Sequence, residues 1–468
     1  MQELLCKGGL MTDAYTRMVS EVLFPLHEWA KGHATVRVWK KLEQSQWWDR
    51  ARIEQLQLTR LQQLLRHVGE AVPYYRKVFA DHDFDARDVA GLSDLSALPF
   101  LAKANIRDNL EDLKSRTAQG LKRFNTGGSS GEPLVFLIGK ERVSHDVAAK
   151  WRATRWWGVD LGDPEIVVWG SPIELGAQDR IRRWRDALMR TELLPAFEMS
   201  ERRLDEFVAR IRKRRPKMLF GYPSALSHIG LHAERRGVRM DDLGIKVAFC
   251  TSERLYDEQR CVIERVFACP VANGYGSRDA GFIAHQCPSG GMHLTAEDVI
   301  VEIVDAQGAP VPPGQAGEIV VTHLATGEFP FIRYRTGDVA ALDPAPCACG
   351  RGLPLLKDIQ GRATDFVVAR DGTVMHGLAL IYVVRDLPEV AAFRIVQESL
   401  DLTRVEVVPG PGYGPQTAAR IEQGMMARLG QGVRIVVDTR TEIPPEKSGK
   451  YRYVMSRVDA QGSVACAT

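Results

Sequence analysis

Phe124-Asn125-Thr126-Gly127-Gly128-Ser129-Ser130-Gly131-Glu132-Pro133 is the stretch on which the reading of this chain turns. Between Thr126 and Gly131 it packs three glycines and three hydroxyl side chains. Glycine admits φ > 0 and lets backbone N–H groups come close to a ligand. Successive N–H groups beside hydroxyl donors form a concavity suited to phosphate oxygens. A polar surface turn is the other reading, since Gly-Ser clusters are ordinary loop material. The rest of the chain decides between them.

At 468 residues the chain exceeds the roughly 250–300 residues that one core serves, so at least two domains are expected. With 45% hydrophobic and 26% charged residues it reads as an ordinary globular protein. Its 62 basic and 59 acidic residues nearly balance, which argues against a nucleic-acid binder. No apolar run approaches a bilayer span of about 20 residues. The opening residues lack the pattern of a signal peptide, so a cytoplasmic location is the expectation. Eight cysteines in such a chain point to thiols or metal ligands before disulfides.

Outward from the loop, Leu42, Ile53, Leu56, Leu64, Leu65 and Val68 recur at helical spacing, predicting one amphipathic helix or a pair over 42–68. Trp47 and Trp48 are assigned to its packing. Further helices are predicted over 142–157, 201–213 and 224–236. Short apolar runs at 165–170, 216–223, 246–250 and 270–273 read as strands between them. That alternation implies an α/β core with mostly parallel pairing. Beyond residue 298 the texture changes to antiparallel strands, 299–304 and 317–322, joined by a Pro/Gly-rich turn. Strands at 403–408 and 433–437 around a helix at 416–429 suggest a small α+β unit. The joint is placed near 359–365.

Four signals follow the glycine loop in order: Asn273-Gly-Tyr-Gly-Ser-Arg-Asp279 and Tyr334-Arg-Thr-Gly-Asp338, each read as following a strand, then Gly361-Arg362, and Pro444-Pro-Glu-Lys-Ser-Gly-Lys450. Leu98-Pro-Phe-Leu-Ala-Lys103, Phe331-Ile-Arg-Tyr-Arg-Thr-Gly-Asp338 and Cys347-Ala-Cys-Gly-Arg351 complete the set. Together these resemble the adenylate-forming ligases, and within them the phenylacetate–CoA ligase and capsule-polysaccharide-biosynthesis branch. The resemblance runs from about residue 95 to 455.

It implies an α/β fold: a large N-terminal adenylation domain, 1–362, of parallel or mixed sheets with a smaller antiparallel β subdomain, and a mobile α+β lid, 363–468. It implies a two-step reaction in which carboxylate and ATP give acyl-adenylate and pyrophosphate, after which an acceptor takes the acyl group. Negative charge moves onto pyrophosphate, so donors and a cation are needed where it develops. Carried over by motif, Thr126, Gly127, Gly128, Ser129, Ser130 and Gly131 hold phosphates. Lys450 bridges carboxylate and α-phosphate. Asp338 accepts from the ribose hydroxyls, Arg362 adds a nucleotide contact, and Tyr275 lies against adenine with Gly276 and Ser277 beside it. Ser252 and Glu253 pass the ring. Thr364 is the hinge position. Trp151, Tyr222 and Asn273 are candidate acyl-pocket residues, whose aromatic share suits an aryl or arylacetic acid.

Asp279 stands where the family usually places a magnesium-binding glutamate; it keeps an oxygen donor on a shorter arm. Arg278 replaces a common small hydroxyl residue and faces either the phosphates or the acyl pocket. Gly449-Lys450 is not a P-loop, because Tyr451 follows it. Cys287, His293, Cys347 and Cys349 form a three-thiolate, one-imidazole set suited to structural zinc, with His285 a competing ligand. Cys250, Cys261 and Cys269 read as core. Arg180–Arg185 reads as a solvated face over a packed stripe of Ile181, Trp184 and Leu188. ATP, Mg2+ and zinc are the expected cofactors, and coenzyme A, an amine or a carrier-protein thiol the acceptor. A homodimer is left open.

Overall fold

The computed structural model describes residues 13–125, 134–169, 179–196, 198–305, 307–360, 366–443 and 453–458. The helix predicted over 42–68 is a pair, Thr35–Ser45 and Arg50–Ala71. The break falls at Trp47-Trp48, and the second helix starts where the Asp49 side chain accepts from the Arg52 N–H at 2.8 Å. Trp48 packs on the large core, but Trp47 is half-exposed, with the Arg351 guanidinium 4.8 Å from its ring centre. The Lys140–Trp156, Glu201–Arg214 and Pro223–Arg235 helices match the predicted segments to within two residues.

Among the described residues the main sheet has eleven strands. Thr191–Pro195, Glu165–Trp169, Met218–Gly221, Val247–Thr251 and Val271–Ser277 pair in parallel. Those four pairings fit the reading of short apolar strands alternating with helices. From Val271–Ser277 onward every pairing is antiparallel, through Gly281–Gln286, Met292–Leu294, Leu355–Gln360, Tyr334–Asp343, Gly317–His323 and Val299–Val304. The antiparallel strands thus continue the parallel ones in a single ladder. Asn273–Ser277 lies within strand Val271–Ser277, with Arg278 and Asp279 in the turn after it, and Tyr334–Asp338 opens strand Tyr334–Asp343, whereas the sequence reads both motifs as following a strand.

The last stretch builds its own four-stranded sheet, with Val390–Ser399 and Leu402–Pro409 at its centre. Helices Leu378–Arg385 and Pro415–Leu429 share an apolar cluster with it, including Ile395, Val405, Ile421 and Met425. The hairpin Phe366–Val368 and Val374–His376 adds to the two-residue strand Glu198–Met199. Val368 packs with the cluster of the parallel strands and Val367 with that of the C-terminal sheet, so the hairpin links the two.

Candidate active site

Residues far apart in the ladder meet at one place. Val271–Ser277 and Tyr334–Asp343 are four strand positions apart, roughly 19 Å in a flat sheet. Yet the Tyr275 hydroxyl donates to Asp338 Oδ2 at 3.0 Å, so the sheet curls back on itself. Burial and the Asp338 charge push the Tyr275 phenol well above its ordinary pKa, which keeps it a donor. The pair holds the Asp338 carboxylate, a group able to accept two hydroxyl hydrogen bonds, at a fixed point beside an aromatic ring.

Asp279 is a second hub. The Tyr334 hydroxyl donates to its Oδ2 at 2.5 Å, and the Ser277 hydroxyl donates to Oδ1. The Ala280 N–H reaches Oδ1 at 3.2 Å. Burial alone would raise its pKa, but the Lys103 charge and these hydrogen bonds bring it below the ordinary carboxylate value. Asp279 is therefore an anion with both oxygens engaged. Lys103 had no role assigned from sequence. It reaches Asp279 because Leu101 bridges to Tyr334, with hydrogen bonds of 3.0 Å to the Arg333 carbonyl and from the Arg335 N–H.

The turn bearing Asp279 is clamped from behind. Arg142, a fully buried side chain on the Lys140–Trp156 helix, donates through Nη2 to the Arg278 carbonyl at 2.8 Å. Its Nε lies 3.4 Å from Asp146 Oδ2, and Asp146 Oδ1 accepts from the Phe282 N–H at 3.4 Å. Gly281 sits between at φ +83°, where a Cβ would come 2.9 Å from both Asp146 and His323. Arg278 donates to the Asn125 carbonyl at 3.4 Å. Asn125 pairs with Val135 in the antiparallel hairpin Lys122–Asn125 and Val135–Ile138, which brings the two ends of the glycine loop together. Arg278 thus touches the base of that loop, and Tyr382 of the C-terminal region lies near enough to bear on its charge.

At the end of Val247–Thr251, Ser252 adopts φ +70°, a left-handed conformation uncommon for non-glycine residues. Glu253 accepts a hydrogen bond from Ser224, at the start of helix Pro223–Arg235. The three acyl-pocket candidates are spread out. Trp151 packs beside Phe24, Trp39 and Phe282; Tyr222 stacks on Trp169 at 4.6 Å within the helix-covered cluster of the parallel strands. The Asn273 N–H donates to Gln286 Oε1 at 3.1 Å.

Cys287, His293, Cys347 and Cys349 do converge, their ligand atoms all within 4.8 Å of one another. Cys287 Sγ and Cys347 Sγ are 3.6 Å apart, and Cys349 Sγ is 3.2 Å from His293 Nε2. Tetrahedral zinc with Zn–S near 2.3 Å requires edges of about 3.8 Å between sulfurs, so the set fits the ion nearly as it stands. His293 Nδ1 faces the Leu353 carbonyl at 3.4 Å, which leaves Nε2 turned toward the thiols. A Cβ on Gly291 would lie 2.7 Å from the Cys347 sulfur, so the turn must be glycine for the loop to approach. His285 is outside the set, stacked on Phe282 at 5.3 Å. Cys250 and Cys269 are buried as expected, whereas Cys261 is only half-buried on its helix.

Thr126, Gly127, Gly128, Ser129, Ser130, Gly131, Arg362, Thr364 and Lys450 lie outside the described residues. What is described is a curled mixed sheet with two carboxylate–tyrosine pairs beside a glycine-loop hairpin. The AMP-binding enzyme family matches residues 193–326 and the CapK C-terminal domain residues 367–457. Protein CapK of Staphylococcus aureus is 22% identical over 86% of this chain and 89% of its own length. A phenylacetate–coenzyme A ligase of Thermus thermophilus is 27% identical over 73% of this chain and 77% of that one. A 2-hydroxyisobutyryl-CoA ligase structure, complexed with 2-HIB-AMP and CoA in the thioesterification state, overlays with TM-score 0.63 at 20% identity, covering 87% of this chain and 90% of that one; it shares the fold. By these matches the chain is similar to the adenylate-forming superfamily, and within it to the phenylacetate–CoA ligase and CapK-like branch.

Proposed function

We propose that the enzyme joins a carboxylic acid to ATP, releases pyrophosphate, and passes the acyl group to coenzyme A. In the first step a carboxylate oxygen bonds to the α-phosphorus as the bond to pyrophosphate breaks. In the second a thiol sulfur bonds to the acyl carbon and AMP leaves. The observation that carries the reading is the meeting of Tyr275–Asp338 with Tyr334–Asp279 beside the base of the glycine loop. In this reading Asp338 receives the ribose hydroxyls and Tyr275 flanks the adenine, with Gly276 and Ser277 beside it and Ser252 and Glu253 passing the ring. Thr126 to Gly131 cradle the phosphates, and Arg362 adds a contact.

Mg2+, arriving with ATP, would supply charge neutralisation, and Asp279 is the ionised oxygen donor placed to meet it. Ser277 and Tyr334 hold that carboxylate in one orientation, while the Lys103 charge keeps it ionised. Lys450 bridges the reacting groups from a lid, 363–468, that turns about Thr364. An aryl or arylacetic acid is the favoured substrate, supported by the phenylacetate–coenzyme A ligases among the relatives. A pyrophosphate-release screen across carboxylic acids tests this: one aryl or arylacetic acid should stand out, and release with no acid would sink it. Adding CoA or an amine to the productive mixture then separates thioester from amide.

Structural zinc is proposed at Cys287, His293, Cys347 and Cys349. It would staple the hairpin around 287–293 to the loop before Leu355–Gln360, and play no direct part in the chemistry. Elemental analysis should return about one zinc per chain; a metal-free, fully stable preparation refutes it.

A further inference from the structure

Residues Ala14–Ala30 run helically, with one π turn at Val19–Leu23. Their inward face mixes Val19 and Phe24 with polar groups, and their outward face carries an apolar stripe, unlike an ordinary surface helix. Thr16, Ser20 and Glu28 face inward and are buried, while Met18, Val22 and Leu26 are about half-exposed and Trp29 is 78% exposed. The inward polar groups are satisfied. Thr16 donates to Asp163 at 3.1 Å, and Glu28 is held by His33 at 3.0 Å and by Thr35. The outward apolar stripe therefore belongs to the fold and is not a register slip.

A second helix extends the patch. Asp179–Leu188 lies alongside: the Tyr15 hydroxyl donates to the Leu188 carbonyl at 2.9 Å, and Arg190, just beyond the helix, pairs with Asp13 at 2.8 Å. It adds a half-exposed Leu188 and Trp184, which is 75% exposed. Helical spacing had assigned both to a packed stripe; they form an outer one. Single exposed apolar residues need no explanation, but six on two adjoining helices do.

Charge identifies the occupant. Arg17, Lys31, Arg37, Lys40 and Lys41 are exposed on or next to these helices. Of the nearby carboxylates, Asp13 is tied to Arg190, Asp186 to Arg185 and Glu43 to Arg155, and Glu28 is buried; Glu21 is exposed. Beside Trp29 lies a cavity of about 560 Å³, walled by Pro25, Trp29 and Val36 and rimmed by Arg37, Lys40 and Lys41. Tryptophan and aliphatic side chains flanked by lysine and arginine are what settles at the headgroup level of a bilayer. A second copy of the chain fits less well, because two-fold pairing would set this basic patch against itself.

We propose that this face docks the enzyme on an anionic lipid bilayer, with Trp29 and Trp184 entering the interface and Arg37, Lys40 and Lys41 meeting the headgroups. No helix among the described residues is long and apolar enough to cross a membrane, so the chain would lie on the surface. Co-sedimentation of the full-length enzyme with phosphatidylcholine vesicles, with and without phosphatidylglycerol, tests the proposal. Binding should require phosphatidylglycerol and weaken with salt. It should disappear in Trp29→Ser/Trp184→Ser and fall about fivefold per lysine in Lys40→Gln/Lys41→Gln. Pyrophosphate exchange by these variants in the absence of vesicles should be unchanged, which shows that they fold. Two results overturn it: no binding to anionic vesicles at low salt, or a dimer in light scattering that Trp29→Ser splits, which would make the face a self-interface.

Discussion

Arg142 lies behind the turn that carries Asp279, and its replacement should slow acid activation more than it destabilises the protein. Its guanidinium holds the Arg278 carbonyl at 2.8 Å, and its partner Asp146 holds the Phe282 N–H at 3.4 Å. The turn carrying Asp279 is thereby gripped at both ends. Arg142→Met keeps apolar bulk against Phe331 and Phe136, whose ring centres lie 5.2 and 6.0 Å from the guanidinium carbon. It removes the charged-donor hydrogen bond to the Arg278 carbonyl, a loss of about 1.5–3 kcal/mol at the turn, together with the longer 3.4 Å contact to Asp146. If that loss is felt where Asp279 meets the reacting phosphates, kcat/KM for adenylation falls roughly 10- to 150-fold. Arg142→Lys keeps the charge but loses the fork, and should fall between. ATP–pyrophosphate exchange, measured as kcat and as KM for MgATP, is the assay, with a urea midpoint beside it. A variant of lowered midpoint but normal exchange would refute the reasoning, because the turn would then hold its geometry without the clamp.

Tyr275→Phe removes the 3.0 Å bond to Asp338 and should raise the KM for ATP by about tenfold, read in the same exchange assay. Arg152→Ala strands Glu297, its buried partner at 2.6 Å, and should lower unfolding stability by about 3–5 kcal/mol; Arg152→Met/Glu297→Leu should recover most of it in urea titrations. Burial, with Arg235 and His232 nearby, lowers the His228 pKa to about 4. The unfolded chain protonates this imidazole near pH 6.5 while the folded one does not, so stability falls as pH drops from about 6.5 to 4. His228→Leu should flatten that part of the pH–stability curve, by up to about 3 kcal/mol.

Much of the local structure was legible because it is written in short-range periodicity. Val299–Val304 forms over the predicted residues, and Pro415–Leu429 within one of them. The convergence of Cys287, His293, Cys347 and Cys349 was legible too, since thiols and an imidazole in Pro/Gly-rich loops have few other uses. Lys103 and Arg142 were not. Lys103 is 176 positions from Asp279 and Arg142 is 136 from Arg278, and neither spacing leaves a periodic trace. Trp184 and Leu188 mark a different limit. Helical spacing shows that they share a face, but whether it turns toward core or solvent depends on the neighbouring helix.

The sequence by itself determined the chemistry available: a hydroxyl-rich glycine loop, carboxylates and tyrosines in short motifs, and a set of three thiols and an imidazole. Residue type and local spacing suffice for that, because donor character and backbone freedom are properties of the residues themselves. Only the tertiary structure decided who meets whom. The curl of one continuous sheet sets Tyr275 on Asp338 and Tyr334 on Asp279, and a helix from another part of the chain steadies the turn between them. Those distances come from the twist and closure summed over many strands, a quantity that no single stretch of the chain encodes.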